Sequence, residues 1–247
     1  DVWQKTFPSG EVTQQERLGI RLQSRYKDFQ TATGELQRVD LANVTHEEKL
    51  SFFLNVANTL VLHGMIEAEK LPAKGSEWMA FAGNVYYNIQ GVPYSLAQLH
   101  FGILRASLVN PKFNFGGTIM KSSKISSTSD PRYHTKLRKP EPYVTYALFT
   151  CTESGPPLAL YSEATVLTQL ELQFKTYLSK HVTVNVQKNT VVLPKLFNWY
   201  SRDLMVTTHD AKSILDKLDQ VYTTDVRRNP LSKSLDPKKN AHQLRAL

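Results

Sequence analysis

The amino-acid sequence predicts an α+β domain, with one central buried helix surrounded by short antiparallel strands or hairpins and further helices. Three observations support this prediction. Residues 50–68 are apolar almost throughout, short segments of alternating hydrophobicity follow them, and the amphipathic segments do not alternate with strands as regular β-α-β units. Hydrophobic residues make up 41% of the 247 residues, so a core of ordinary size can form and a disordered or collagen-like chain is excluded.

The central helix has a clear start. Thr45 and Glu48 have the spacing of a capping box, in which the Thr45 hydroxyl accepts from the Glu48 amide and the Glu48 carboxylate accepts from the Thr45 amide. The helix that they open is expected to reach about Glu69. Its apolar residues cover nearly every face, which is typical of a helix buried at the centre of a domain. Residues 11–29 precede it and have the charged pattern of a surface helix.

The rest of the chain predicts short strands and shorter helices. Hairpins are predicted over residues 85–92 and 182–193, where apolar alternation is interrupted by turn-forming residues. A strand is predicted over residues 143–150, ahead of a Ser-Gly-Pro-Pro turn. Four further helices are predicted, over residues 96–108, 163–179, 194–204 and 210–222.

Positive charge is concentrated in two segments of a chain whose formal net charge is +8. Residues 226–247 contain six basic residues and one acid, and they are predicted to be an extended tail or linker. Residues 111–141 contain seven basic residues and two acids around a polar loop, residues 121–130, which we expect to be mobile with few apolar contacts. We therefore divide the chain into an N-terminal helical segment (1–40), a main domain (41–225) and the basic tail.

The two basic segments are candidate contact surfaces for an acidic protein face or another anionic surface. The candidate binding residues are Lys136, Arg138, Lys139, Arg227 and Arg228. The alternative is that both segments are solvated loops without a partner. Nucleic acid is a further candidate partner with no motif in its favour, because aromatic residues do not alternate with the basic ones and no zinc-finger, RRM or helix-turn-helix pattern occurs.

Residues suited to catalysis are few. Cys151, the only cysteine, follows the predicted strand; as a nucleophile it would need a base, and His63 and His100 are the candidate partners. The alternative is that Cys151 is a small buried hydrophobic residue. Asn55 and Asn58 lie on one face of the central helix, where one could orient a catalytic imidazole or bind a substrate backbone, or both could tie loops to the helix. We expect both to be largely buried and hydrogen-bonded outside their own helix, because an unpaired buried amide is destabilising.

No metal, cofactor or membrane span is predicted. Metal-binding His and Cys-pair spacings do not occur, and Gly116-Gly117 lacks the Lys-Ser/Thr partner of a phosphate-binding loop. The apolar segment carries Asn55, Asn58 and His63, and polar residues are rare within a bilayer-spanning helix. A single cysteine excludes an internal disulfide and favours a reducing compartment, so we expect a cytoplasmic protein.

Five sequence blocks resemble the DUF547 family, a domain of unknown function found in plants, animals and bacteria. They are Phe52–Gly64 (family pattern FWINLYNALVLHG), Tyr94–Arg105 (SLxDIEHGILR), Val144–Leu158 (HFALxCGxxSxPPxR), the helical stretch 163–178, and Leu193–Leu204 (LxKIFxWYxxDF). The blocks occur in the family's order over about residues 40–205, and together they are specific. The resemblance implies that residues 41–225 form a DUF547-like domain.

The chain departs from the family pattern at the positions that would matter for activity. The family's Glu-His pair is His100 and Phe101 here, and its Cys aligns with Thr150, so that Cys151 comes one residue later. On a helix His100 would point about 100° away from Phe101, and we expect it not to reach the same point. If the family's residues form a site of the papain or transglutaminase kind, the resemblance implies a distantly similar fold in which this member has lost or shifted most of that site.

We therefore predict a non-catalytic binding or regulatory module of a larger intracellular protein. The alternative is a cysteine-dependent hydrolase or acyl-transferase of the papain or transglutaminase type, which would use Cys151 with His100 or His63, and with Asn55. The distance from the Cys151 thiol to an imidazole nitrogen, together with the exposure of the thiol, separates the two hypotheses, because a thiolate nucleophile needs an adjacent base or cation.

Overall fold

The computed structural model of this chain describes residues 13–106, 117–152, 154–185 and 190–204, and the backbone of 245–246. Its α-helices are α1 (Gln14–Arg21), α2 (Ser24–Thr33), α3 (His46–Glu67), α4 (Gly75–Asn84), α5 (Gly117–Ser122), α6 (Val166–His181) and α7 (Lys195–Trp199). Its strands are β1 (Tyr86–Ile89), β2 (Val92–Ser95), β3 (Thr183–Asn185), β4 (Thr190–Leu193) and β5 (Arg245–Ala246). A π-helix covers Gln98–Leu104, and 3₁₀ turns cover Gly34–Arg38, Pro131–His134, Val144–Tyr146 and Ser201–Leu204. The predicted α+β class is confirmed.

The helix α3 is the core of the domain, as predicted. The Glu48 amide donates to the Thr45 hydroxyl at 3.2 Å and the Thr45 amide donates to the Glu48 carboxylate at 2.6 Å, which completes the capping box. Leu50, Phe53 and Leu54 are fully buried within it. By length and composition α3 could cross a membrane, but 56% of its most apolar window is buried inside the domain, which is the environment of a core helix.

The N-terminal helices α1 and α2 pack against the carboxyl end of α3. Arg17 Nη2 donates to the Glu69 carbonyl at 3.3 Å, and Arg21 Nε donates to the Ile66 carbonyl at 2.9 Å. The Ile66 carbonyl belongs to the last turn of α3, whose carbonyls have no partner within the helix and carry partial negative charge, so the Arg21 guanidinium is a favourable cap. Arg17 binds the chain just beyond the helix. The surface helix predicted over residues 11–29 is thus two helices joined by a bend.

Both predicted hairpins are present. Strands β1 and β2 pair antiparallel, with Ile89 opposite Val92, and Gln90 and Gly91 between them have φ angles of 52° and 76°. Positive φ at both turn positions gives a backbone twist that matches the twist of the strands, and glycine adopts it without strain. Strands β3 and β4 also pair antiparallel, and β5 adds to β4 in parallel.

The predicted strand over residues 143–150 is wrong. The segment contains only a 3₁₀ turn, Val144–Tyr146, and every residue from 144 to 149 is buried. Two of its backbone groups find partners in side chains instead of in a neighbouring strand: the Phe149 amide donates to Asn58 Oδ1 at 2.9 Å, and the Ala147 carbonyl accepts from Asn58 Nδ2 at 3.2 Å. The side-chain amide of Asn58 therefore provides the hydrogen-bond partners that a neighbouring strand would otherwise provide for these buried backbone groups.

The expectation for loop 121–130 is wrong in part. Residues 126–129 are exposed, but Ser123 and Ile125 are buried, at 3% and 1% exposure. They pack against Gly102, where an added Cβ would lie 2.5 Å from the Ser123 carbonyl oxygen. Only glycine permits this close approach of two backbones. Although most residues of the loop are polar, Ile125 is buried and packs the loop against the core.

Candidate functional site

A cleft of about 580 Å³ lies among the described residues. Its walls come from α4, from the π-helix, from residues 148–156 and from α7, so segments far apart in sequence meet there. Most of its lining is apolar or aromatic, and the aromatic members are Trp78, Phe101, Phe149, Tyr177, Trp199 and Tyr200. Its volume falls in the range of about 300–1,000 Å³ that small-molecule sites occupy.

The π-helix determines which side chains face this cleft. The Arg105 amide donates to the His100 carbonyl at 3.0 Å, five residues back, which widens the helix. As a result His100 and Phe101 both line the cleft, with their rings stacked at 4.4 Å between centroids. The two side chains nevertheless leave successive residues of the helix, and the expectation that His100 does not reach the point that Phe101 occupies stays a prediction.

A buried ion pair supports the aromatic wall from behind. Arg105 donates from Nε and Nη2 to the two carboxylate oxygens of Asp203, at 2.6 and 2.5 Å, and both side chains are almost fully buried. The Thr145 hydroxyl donates to Asp203 at 2.8 Å. The Arg105 guanidinium also lies 5.1 Å from the ring centroid of Tyr200, which in turn stacks on His100. This network fixes the Ser201–Leu204 turn to the π-helix.

His100 is held in its neutral form. Burial, and the positive charge of Arg105, place the pKa of His100 well below its ordinary value. The residue as a whole is partly exposed to the cleft, but its Nε2 is shielded from water and has no hydrogen-bond partner in the part of the chain that the structure describes. His100 therefore contributes an uncharged aromatic surface to the wall rather than a cation.

Cys151 is not part of the cleft lining. Its φ angle of 55° lies in the left-handed region, and its side chain packs against the core. Burial raises the pKa of the Cys151 thiol to about 12. Among the described residues no hydrogen bond joins this thiol to His63 or His100. Thr150 lines the cleft instead, and its hydroxyl lies 2.9 Å from that of Thr152. The one-residue shift has turned the thiol away from the cleft.

His63 lies in a different cavity. This second, open cavity of about 440 Å³ is formed by α2, the carboxyl end of α3 and β1. There His63 Nδ1 lies 2.8 Å from the Tyr87 hydroxyl, and burial lowers the pKa of the imidazole. The structure thus separates the three residues of the hydrolase hypothesis: His63, His100 and Cys151 have three different environments.

The two asparagines of α3, Asn55 and Asn58, form hydrogen bonds with backbone groups of other segments. Asn58 is 2% exposed, accepts from the Phe149 amide, and donates to the Ala147 and Ala159 carbonyls at 3.2 and 3.4 Å. Asn55 is half-buried and exchanges two hydrogen bonds with the backbone of Tyr161, at 2.8 and 2.9 Å. The expected hydrogen bonds are confirmed for both, and full burial for Asn58 only. Among the described residues neither amide forms a hydrogen bond with His63 or His100.

The candidate basic residues have unequal surroundings. Lys136 Nζ donates to the Ile125 carbonyl at 3.4 Å and lies over the Tyr133 ring, so it serves the loop itself. Arg138 and Lys139 are exposed, and Lys139 lies 3.4 Å from Glu141. Arg227 and Arg228 lie outside the described residues, as do the predicted helix over 210–222 and, apart from the backbone of 245–246, the basic tail.

Metal ligation finds no support in the described part of the chain. No group of three or more His, Cys, Asp or Glu side chains in residues 13–106, 117–152, 154–185 and 190–204 is placed to hold an ion.

The fold and the cleft define the class of this chain: an α+β domain around one capped core helix, with an aromatic cleft that Thr150, His100 and Phe101 line. A family model described as "Protein of unknown function, DUF547" matches residues 41–178. The match covers more than half of the 247 residues, and the chain belongs to the DUF547 family. Searches among curated proteins and among solved structures found no match.

The Arg105–Asp203 pair is the part of the site that the sequence analysis missed. The signal was present, because Arg105 ends one family-like block and Asp203 lies near the end of another. Asp203 lies beyond the matched residues 41–178, yet it is buried against a residue inside them. The Ser201–Leu204 turn therefore packs as part of the same core.

We expect the Cys151 thiol to react slowly at neutral pH. With a pKa of about 12, only about one thiol in 10⁵ is ionised at pH 7, and the thiolate is the reactive form. Iodoacetamide labelling followed by mass spectrometry should show a rate that rises about tenfold per pH unit while the fold persists. The same chain unfolded in urea should label at the rate of an ordinary thiol. Rapid labelling of the folded chain, abolished by His100→Ala or His63→Ala, would restore the hydrolase hypothesis.

Proposed function

We propose that this DUF547 domain is a non-catalytic binding module and that the cleft is its ligand site. The observation that carries the proposal is the cleft itself. It has aromatic lining residues and a volume suited to a small molecule, and Thr150 occupies the position that aligns with the family's cysteine.

The chemistry of the cleft favours binding over catalysis. Nucleophilic catalysis needs a hydroxyl or thiol whose proton a nearby base can accept. Thr150 shares its hydrogen bond with another hydroxyl, Thr152, and the His100 Nε2 has no hydroxyl or thiol partner among the described residues. Stacked rings backed by a fixed ion pair form a stable surface, which suits a preformed binding site.

Nile red, an uncharged dye that fluoresces in apolar surroundings, tests this proposal. Ser154 is exposed at the edge of the cleft, so Ser154→Phe should fill the opening without disturbing the core. Ser126, also exposed, lies away from the cleft and gives the matched control Ser126→Phe. We expect saturable 1:1 binding to the full chain, weakened about tenfold by Ser154→Phe, or about 1.4 kcal/mol, and unchanged by Ser126→Phe. No saturable binding, or equal binding by both variants, would refute the cleft as the ligand site.

A second candidate is binding of an anionic surface through the basic loop. The specific observation is a concentration of like charge: partial burial and, second to it, the nearby positive charge of Arg138 lower the pKa of Lys49. Lys49 Nζ donates to the His134 carbonyl at 3.1 Å, so the loop is attached to α3 at this point. Neighbouring cations repel one another, and an anionic partner would relieve that repulsion.

Vesicles containing phosphatidylserine test the basic loop. We expect Arg138→Glu/Lys139→Glu to weaken vesicle binding in a co-sedimentation assay by at least about tenfold, because each basic residue near such a membrane contributes about 1 kcal/mol. Arg25→Glu/Lys27→Glu makes the same change of net charge on exposed positions of α2 and should have a smaller effect. Equal losses in the two double variants would mean that only net charge matters.

A further inference from the structure

We propose that the ligand of the cleft is an amphiphilic carboxylate: a molecule with a single apolar chain and one carboxylate head. This inference rests on the proposed function, because it names the chemical class that the same cleft would take. It follows from which apolar, charged and hydroxyl groups line the cleft.

The apolar chain of the ligand would pack against the aromatic inner wall of the cleft. Phe101, the neutral His100 ring and Tyr200 form one stacked surface, and Trp78 and Trp199 also line the cleft. Burial of apolar surface against these rings contributes about 25 cal/mol per Å². The positive charge of Arg105 lies behind the stack and is neutralised by Asp203 at 2.5 Å, so the wall itself presents no free charge.

The charged groups of the cleft are of one sign. Lys74 and Lys195 belong to the described lining, and no Asp or Glu does. Lys195 is exposed and makes no ion pair within the described residues, which leaves it available to an anion. Lys74 is less available, because it follows Ala73, whose amide donates to the Glu77 carboxylate at 2.8 Å, and Glu77 lies close enough for Lys74 to lower its pKa. A ligand carboxylate therefore fits the lining, and an ammonium does not.

Two hydroxyls can complete the contacts of the head group. Thr150 and Thr152 both line the cleft, and their hydroxyl oxygens are 2.9 Å apart. Each hydroxyl carries one proton, so the hydrogen bond between them uses one and leaves the other O–H free to donate. A carboxylate only accepts hydrogen bonds, and it would take this donor together with the Lys195 ammonium.

Three probes that share one alkyl chain and differ in their head group test the class of ligand. They are decanoate, decanol and decylamine, each used below its micelle-forming concentration. Trp78 and Trp199 line the cleft, so tryptophan fluorescence of the full chain reports binding, with Trp3→Phe to remove the third tryptophan. We expect decanoate to bind most tightly and decylamine least. Lys195→Gln should weaken decanoate binding about threefold and leave decanol unchanged, since an exposed ion pair contributes up to about 1 kcal/mol. Lys27→Gln, on an exposed position of α2, is the control.

The outcomes separate this inference from the proposed function. If decanol or decylamine binds as tightly as decanoate, or if Lys195→Gln weakens all three probes equally, the cleft binds apolar chains and the carboxylate class is wrong. If decanoate fails to bind while Nile red binds, the carboxylate class of ligand is wrong, but the proposal that the cleft is the ligand site is supported. If neither decanoate nor Nile red binds, both proposals fail together.

Discussion

Replacing Asp203 by alanine should lower the free energy of unfolding by about 3–5 kcal/mol. Arg105 is 2% exposed, and it donates two hydrogen bonds to the Asp203 carboxylate. Without that carboxylate the buried guanidinium would lose its Asp203 counter-charge, and the Thr145 hydroxyl would lose its acceptor. Urea unfolding of the full chain, followed by circular dichroism, measures the loss.

Two further variants show whether the buried charge is the cause. Asp28→Ala removes an exposed aspartate on α2 and should change the free energy of unfolding by less than about 0.5 kcal/mol. Arg105→Met with Asp203→Leu removes both charges and should recover most of the stability, because a buried ion pair often contributes no more than apolar residues of similar volume. This double variant is informative even if Asp203→Ala does not fold. A loss below about 1 kcal/mol for Asp203→Ala would show that water reaches the pair.

The features that the sequence predicted are those decided by neighbours in the chain. The capping box of Thr45 and Glu48 and the apolar faces of α3 depend on residues within one or a few helical turns of each other. They can therefore be predicted from the sequence. The β1–β2 hairpin is also local, because Gln90 and Gly91 provide the positive φ angles that the turn requires.

The features that the sequence did not predict depend on distant partners. Residues 143–150 have the pattern of a strand, but no strand of the described residues pairs with them, and Asn58 binds the Ala147 carbonyl and the Phe149 amide instead. The π-helix packs its Gly102 closely against Ser123, which comes from a loop whose composition indicates only solvent exposure. The cleft likewise forms only when α4, the π-helix and α7 meet. Sequence patterns describe each segment but not which segments pack together.

Asn58 offers the second large effect, and its neighbour one turn away provides the control. Asn58→Ala would remove the side-chain hydrogen bonds that Asn58 makes with the buried Phe149 amide and Ala147 carbonyl and with the partly buried Ala159 carbonyl. A buried group left unpaired costs about 1–3 kcal/mol, so we expect a loss of about 3 kcal/mol in the free energy of unfolding. Asn55→Ala should lose only about 1 kcal/mol, because Asn55 is half-buried and water can replace part of its contacts with Tyr161.

Asn58→Asp distinguishes hydrogen bonding from simple packing, because it keeps the shape of the side chain. The new carboxylate can still accept from the Phe149 amide, but it would face the Ala147 and Ala159 carbonyl oxygens where Asn58 now donates. Burial and those oxygens would raise its pKa in the folded state, so the variant should be stabilised at acid pH, where the carboxyl is protonated and can donate, and destabilised as the pH rises through that pKa. The free energy of unfolding, measured from pH 4 to pH 8 relative to the unchanged chain, should therefore fall with pH. A pH-independent difference would mean that Asn58 acts through packing alone, and that the backbone of residues 147–149 is held by something other than this amide.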